Sequence, residues 1–244
     1  MLELPKDIDE AIAQSRQATL AALADGLRRL QIELLFPELK VQPIAQKFIP
    51  ALADTYAERL KVYFPDAGAA ALARRDWGET PYVVRGMGEI KGKMQPEDEI
   101  FLFVEPSSVE VTQLEQMCQE AGARPVVLLL PRLENVATIG IGYAGRQLRE
   151  RFLNTFESCY YIRPLEGAAI FRCYPSPWQV WLEKGDTYEL ISETPSKPMG
   201  DALEQILAKA IGGKIDTAAE GQKPQLKRRG FLSGLKSFFR ALSQ

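Results

Sequence analysis

The chain has 244 residues, 46% of them hydrophobic and 25% charged, with 30 basic and 32 acidic side chains and no histidine. That is ordinary globular composition with room for one large core, and the missing imidazoles remove the usual catalytic triads, the commonest general base and most zinc sites. The three cysteines, Cys118, Cys159 and Cys173, are far apart in apolar segments, a pattern of buried reduced thiols rather than of a disulfide framework or a metal site.

The first ten residues, MLELPKDIDE, are acidic and have the character of neither a secretory signal nor a transit peptide, and no apolar run reaches the length of a membrane span. A cytoplasmic-side protein is expected. Asp7 with Glu10 has capping-box spacing ahead of a first helix with Ile8, Ile12, Leu20, Leu23 and Leu27 on its apolar positions. Residues 30–36, LQIELLF, alternate apolar with polar before Pro37 and predict a strand near a sheet edge. From Val41 the series Ile44, Ala45, Phe48, Ile49, Leu52, Ala53, Tyr56 and Leu60 predicts a single amphipathic helix. A brief strand at 61–64, an alanine-rich helix ending near residues 74–77, a strand at 82–85 and the glycine-rich GMGEIKGKM of 86–94 follow.

Residues 99–131 read as one complete strand, helix, strand unit. The runs at 100–104 and 126–130 are apolar without alternation, which suits strands covered on both faces. Between them Ser107 and Glu110 have capping-box spacing, Val111, Leu114, Met117, Cys118 and Ala121 recur at three and four, and Gly122 stands at the C-cap. Two buried strands can run parallel only through such a crossover, so helices on both faces of a sheet are implied. A loop with residues 135–141, a helix through Arg146, Leu148, Phe152 and Phe156, and a last parallel strand at 159–162 come next. After Gly167 three strands, 168–174, 178–183 and 187–191, predict an antiparallel meander, and a helix with Leu203, Ile206, Leu207, Ala210 and Ile211 closes the domain. The expected fold is three-layer α/β, a mostly parallel Rossmann-like sheet with an antiparallel C-terminal extension and a tethered amphipathic helix. Its expected divisions are one domain over 1–211, a flexible linker over 212–226 and a basic helix over 227–244.

Several ordered blocks resemble a domain family of cyanobacteria and chloroplasts that includes the plant low-photosystem-II-accumulation assembly factor. They are LQIELLFPEL (30–39), VYFPDAGAAALARRDW (62–77), RPVVLLLPRL (124–133), GIGYAGRQLRERFLNTFE (140–157) and FRCYPSPWQVW (171–181). The resemblance implies a thylakoid-associated protein that helps photosystem II biogenesis through integration of a chlorophyll-binding subunit. It brings no catalytic residues, cofactor or metal with it. A similar domain is joined to an adenylate kinase domain in some chloroplast proteins, and this chain has no such partner domain.

Local chemistry is sparse. Gly140, Gly142 and Gly145 satisfy GxGxxG ahead of a helix, where backbone amides can approach a phosphate and Arg146 or Arg149 can add charge. The same glycines also suit a turn that simply starts the helix, because about ten residues separate them from the preceding strand. Gly86, Gly88, Lys91 and Lys93 form a second candidate anion loop or a solvated one. Asp66 follows a strand, where open α/β sheets place their sites, and equally suits an N-cap. Arg74, Arg75 and Asp76 fit an anion site or a surface ion-pair network. The aromatic group of Tyr160, Tyr161, Tyr174, Trp178 and Trp181 fits a pigment or client site, or core.

The strongest signal is the C-terminal segment. Residues 222–244 hold six basic side chains and no acid, which leaves 24 bases against 32 acids in the rest, a body of −8 with a tail of +6. Phe231, Leu232, Leu235, Phe238, Phe239 and Leu242 share one helical face, with Lys236 and Arg240 opposite and Arg228 and Arg229 just before. That is the pattern of an interfacial membrane helix, and it also fits a helix for a partner groove or one that docks on its own domain. The expectation is a non-enzymatic assembly or scaffold factor peripheral on the cytoplasmic face of an anionic thylakoid membrane. Its expected partner is a photosystem II subunit or assembly intermediate, with no nucleic acid. The alternative is a nucleotide- or phosphate-binding regulatory or phosphoryl-handling protein that uses residues 140–146.

Overall fold

Three strands without a single exposed residue set the architecture: β2 (Leu60–Phe64), β4 (Ile100–Val104) and β5 (Val126–Leu129). Side chains on both faces of such strands must be covered, and each large one that leaves water contributes about 1.5–3 kcal/mol. The computed structural model describes residues 3–133 and 143–212. In it these strands join β1 (Arg29–Leu34), β3 (Val83–Gly86), β6 (Glu157–Leu165), β7 (Ala168–Cys173), β8 (Trp178–Lys184) and β9 (Thr187–Thr194) in one sheet of order β3-β2-β4-β5-β1-β6-β7-β8-β9. The strands from β3 to β6 are parallel, and β6 to β9 form the antiparallel meander.

One face packs against α1 (Ile8–Ala24), α2 (Val41–Phe48), α3 (Pro50–Tyr56) and α4 (Ala67–Trp77). The other packs against α5 (Val111–Ala121) and α6 (Tyr143–Arg151), while α7 (Asp201–Ala210) lays Leu203 against Tyr161, Ile170 and Trp178 at the meander end. Among the described residues no helix is long and apolar enough to cross a membrane.

Local chemistry explains the helix ends. Asp7 and Asp66 each accept a backbone N–H three residues on, from Glu10 at 2.8 Å and Ala69 at 2.9 Å. The backbone N–H and hydroxyl of Ser107 both donate to Glu110, so the predicted box closes a turn just ahead of α5. At the far end of α5 the Arg29 guanidinium donates to the carbonyls of Cys118 and Gly122, each at 2.8 Å, a cation on the negative end of the helix dipole.

The structure corrects three expectations. Residues 41–60 form two helices rather than one, because Pro50 has no N–H for the helical ladder and restarts the helix, and Leu60 already belongs to β2. The helix through Phe156 ends at Arg151, and Phe152 and Phe156 instead meet edge to face, with ring centres 5.5 Å apart, beneath it. Most tellingly, β1 is interior, between β5 and β6. Of its alternating polar residues Gln31 is half-buried and Glu33 is out of water. Glu33 is buried and accepts the Ser158 hydroxyl of β6 at 2.5 Å and the Gln31 amide at 3.1 Å, with the Lys197 ammonium 3.9 Å away.

A second buried polar pair holds the connection from β3 to β4. Lys61 and Asp98, both under a tenth exposed, pair at 2.6 Å, and Lys61 also donates to the Lys93 carbonyl while Asp98 accepts the Gln95 N–H. Removing one partner leaves the other charge buried and uncompensated. Asp98→Ala is therefore expected to lower unfolding stability in urea by about 3–5 kcal/mol, and the Lys61→Met, Asp98→Leu double variant to recover most of that loss.

Candidate functional site

Open α/β sheets bind ligands where neighbouring strands send their chains to opposite faces. This sheet has two such places at its carboxyl end. After β2 the chain enters α4 on one face and after β4 it enters α5 on the other; after β1 it enters α2 and after β5 it reaches α6, again on opposite faces.

The second place holds a cleft of about 180 Å³. Leu35, Phe36, Leu39 and Val41 form an apolar wall, Glu33 lies at the base and Arg132 at the rim. Backbone strain concentrates around it. Glu38, Glu105 and Leu130 have φ of 62°, 54° and 54°, in the left-handed region that costs a side-chain-bearing residue roughly 1–2 kcal/mol. The turn at Leu130 brings Arg132 back to the loop after β4, where its N–H donates to the Pro106 carbonyl at 2.8 Å and its guanidinium pairs with Glu105 at 2.5 Å. The loops after β4 and β5 are thereby laced into one rim. The cleft's lining sets the Glu33 and Glu38 carboxylates against the Arg132 guanidinium, chemistry that suits an apolar side chain or short apolar group ending in a hydrogen-bond donor. Among the described residues no three His, Cys, Asp or Glu side chains converge as a metal site needs.

The residues singled out by sequence do not meet in one place. The Asp66 carboxylate caps α4 on the first face, whereas Gly145, Arg146 and Arg149 lie on α6 on the second. Gly145 is the third residue of that helix, Arg146 is exposed, and Gly140 and Gly142 lie outside the described residues, as do the linker from 213 and the nine tail residues Arg228, Arg229, Phe231, Leu232, Leu235, Lys236, Phe238, Phe239 and Arg240. Arg75 and Asp76 form an exposed pair at 2.7 Å. Tyr160, Tyr161, Trp178 and Trp181 are buried core, and Tyr161 meets Trp178 edge-on at 5.0 Å with the Lys197 ammonium 4.0 Å over the Tyr161 ring.

The glycine-rich 86–94 segment supplies its own anion. The Glu89 carboxylate accepts the Gly86 N–H at 3.0 Å and an Arg74 N–H at 3.2 Å, and a turn at Ile90–Gly92 is fastened by the Tyr63 hydroxyl to the Gly92 carbonyl at 2.6 Å. Gly86 itself is obligatory, since a Cβ there would lie 2.6 Å from the Ala67 nitrogen. Sequence reasoning missed Glu33, Glu105, Arg132 and Lys197. The one available signal was an acid inside the apolar run IELLF.

Fold and cleft together define an open, doubly wound α/β protein whose cleft lies at the strands' carboxyl ends. The profile of the domain of unknown function DUF1995 matches residues 5–205, and the chain belongs to that family. No solved structure matches it.

Two titrations test this geometry. Burial raises the proton affinity of Glu89, but the Gly86 N–H and the Arg74 and Arg85 charges together outweigh it and hold the carboxyl below its usual 4.5. Its stabilising contribution is then fully present above 4.5 and lost as pH falls through the lower folded value. Glu89→Gln should therefore lower the Tm at neutral pH and flatten its decline below pH 4.5, as read by calorimetry at stepped pH. Burial also pushes Cys118 and Cys159 up to about 12 and Cys173 to about 11, so all three should resist alkylation at neutral pH until the chain unfolds, as mass spectrometry would read.

Proposed function

We propose that this protein is a non-enzymatic assembly or scaffold factor for photosystem II biogenesis, held at the thylakoid surface by its C-terminal helix and contacting a photosystem II subunit with its α/β domain. The observation that carries this reading is the charge split, a +6 segment with an aromatic-rich helical face behind a body of −8. Each basic residue beside an anionic leaflet contributes about 1 kcal/mol, enough together to bring an acidic body to the surface. The family profile ends at residue 205, ahead of that segment, which supports a reading in which recruitment belongs to the segment and client contact to the domain. The resemblance to the low-photosystem-II-accumulation assembly factor supplies the client class, and the cleft between β1 and β5 suits an apolar side chain of that client.

A second reading draws on α6. Its first turn, with Gly145 and Arg146, stands at the carboxyl end of the sheet, where a nucleotide or phosphate would bind. Adenine nucleotides at millimolar concentration would then raise the Tm of the full chain, and an unchanged Tm removes this reading.

Flotation on liposomes tests the first reading. The full chain should float with anionic vesicles at low salt and lose most of that binding at high salt, while a chain ending at residue 221 should stay in solution. Equal behaviour of the two chains would contradict the role of the tail.

A further inference from the structure

Ile90 and Val109 are 87% and 85% exposed, far more than Leu20 at 39% or Leu72 at 46%. Isolated surface apolar residues are common, but these two share a setting. Both lie on loops that leave the carboxyl end of the sheet, after β3 and β4, and the Gln113 amide in the first turn of α5, just past Val109, donates to the Met87 carbonyl of the loop after β3 at 2.8 Å. Neither side chain is free to fold inward. Ile90 opens a turn closed by the Gly92 N–H to the Glu89 carbonyl at 2.8 Å and tied from below by Tyr63, and the Val109 N–H donates to the Ser107 hydroxyl at 3.2 Å. Backbone held this firmly presents the two apolar tips to whatever lies beyond the edge.

The charges around them select the partner. Lys91 and Lys93 are exposed on the same loop. The neighbouring acids are already engaged: Glu89 by Gly86 and Arg74, Glu110 by Ser107, Glu105 by Arg132. Glu97 is also exposed on the loop after β3, but it lies seven residues beyond Ile90, close to the start of β4, so around the tips themselves the edge offers apolar and ammonium groups, the combination an anionic lipid surface accepts.

We propose that the loops after β3 and β4 form a second membrane contact, with Ile90 and Val109 entering the headgroup boundary of an anionic bilayer and Lys91 and Lys93 meeting its phosphates. This inference rests on the membrane-surface reading above and adds an orientation to it. The carboxyl edge faces the bilayer, and the cleft between β1 and β5 opens toward client segments that emerge from it. Two linked contacts, the tail and this edge, bind more tightly than either alone.

The test places an environment-sensitive fluorophore at Ile90→Cys, at Val109→Cys and, as control, at Leu20→Cys on α1; the native thiols are buried and leave the labelling selective. The full chain with a C-terminal histidine tag is tethered to phosphatidylglycerol vesicles through a nickel-chelating lipid, so that it sits at the surface whether or not its own tail binds. Labels at 90 and 109 should shift to the blue and be quenched by brominated acyl chains, and the label at 20 should do neither. Labels at 90 and 109 that match the control overturn the proposal. A blue shift that instead grows with protein concentration without vesicles assigns the edge to a second copy and overturns it equally. Failure of the tail reading would appear in the flotation of untethered chains and leave this result unaffected.

Discussion

Everything in this fold depends on strands that are apolar on both faces. In β2, β4 and β5 no side chain reaches water, so the sheet must be sandwiched, and parallel neighbours can be joined only by helices that cross one face or the other. Crossovers are right-handed, which ties the direction of travel along the sheet to the face used. The chain moves outward from β2 over one face and from β4 over the other, and does the same from β1 and β5. The crevices at the carboxyl edge are a geometric consequence of that covering. No residue has to be chosen for function to create them.

Polar groups inside such a core survive only by pairing with one another, and here they do so where the chain needs to be held. Lys61 and Asp98 fasten the long connection beneath the edge of the sheet, and Glu33 with Ser158 links β1 to β6 at the seam between the parallel and antiparallel parts. Glu89 fills from within a loop that could otherwise receive an anion. The left-handed residues at Glu38, Glu105 and Leu130 carry strain on the same edge. It is offset by the hydrogen bonds that lace the rim, from Arg132 to Pro106 and Glu105.

In the proposed role as an assembly factor the protein needs a surface rather than a reaction centre. Under that proposal the small apolar cleft at the carboxyl edge would receive one exposed side chain of a client, and the basic C-terminal segment would keep the edge near the membrane. In the proposed role electrostatics would set where the protein resides, and shape what it touches there.

Periodicity and composition alone were sufficient for the elements of the central unit, the helices on both faces, the meander and the basic amphipathic pattern of the tail, because each is written in residues within a few positions of one another. The Asp7 and Asp66 caps were legible for the same reason. The rest was decided by pairing over long distances. Gln31 and Glu33 alternate as an edge strand would, and only Ser158, 125 residues away from Glu33 in the chain, shows that they face a partner instead of water. GMGEIKGKM reads as an open anion loop until Arg74 and Gly86 are seen around Glu89. Tyr161 and Trp178 read as a possible surface until Lys197 and Leu203 are found on top of them. Local sequence determines which face of an element is apolar; what that face meets, and so whether a polar or aromatic residue on it is solvent, core or site, is a property of the tertiary structure alone.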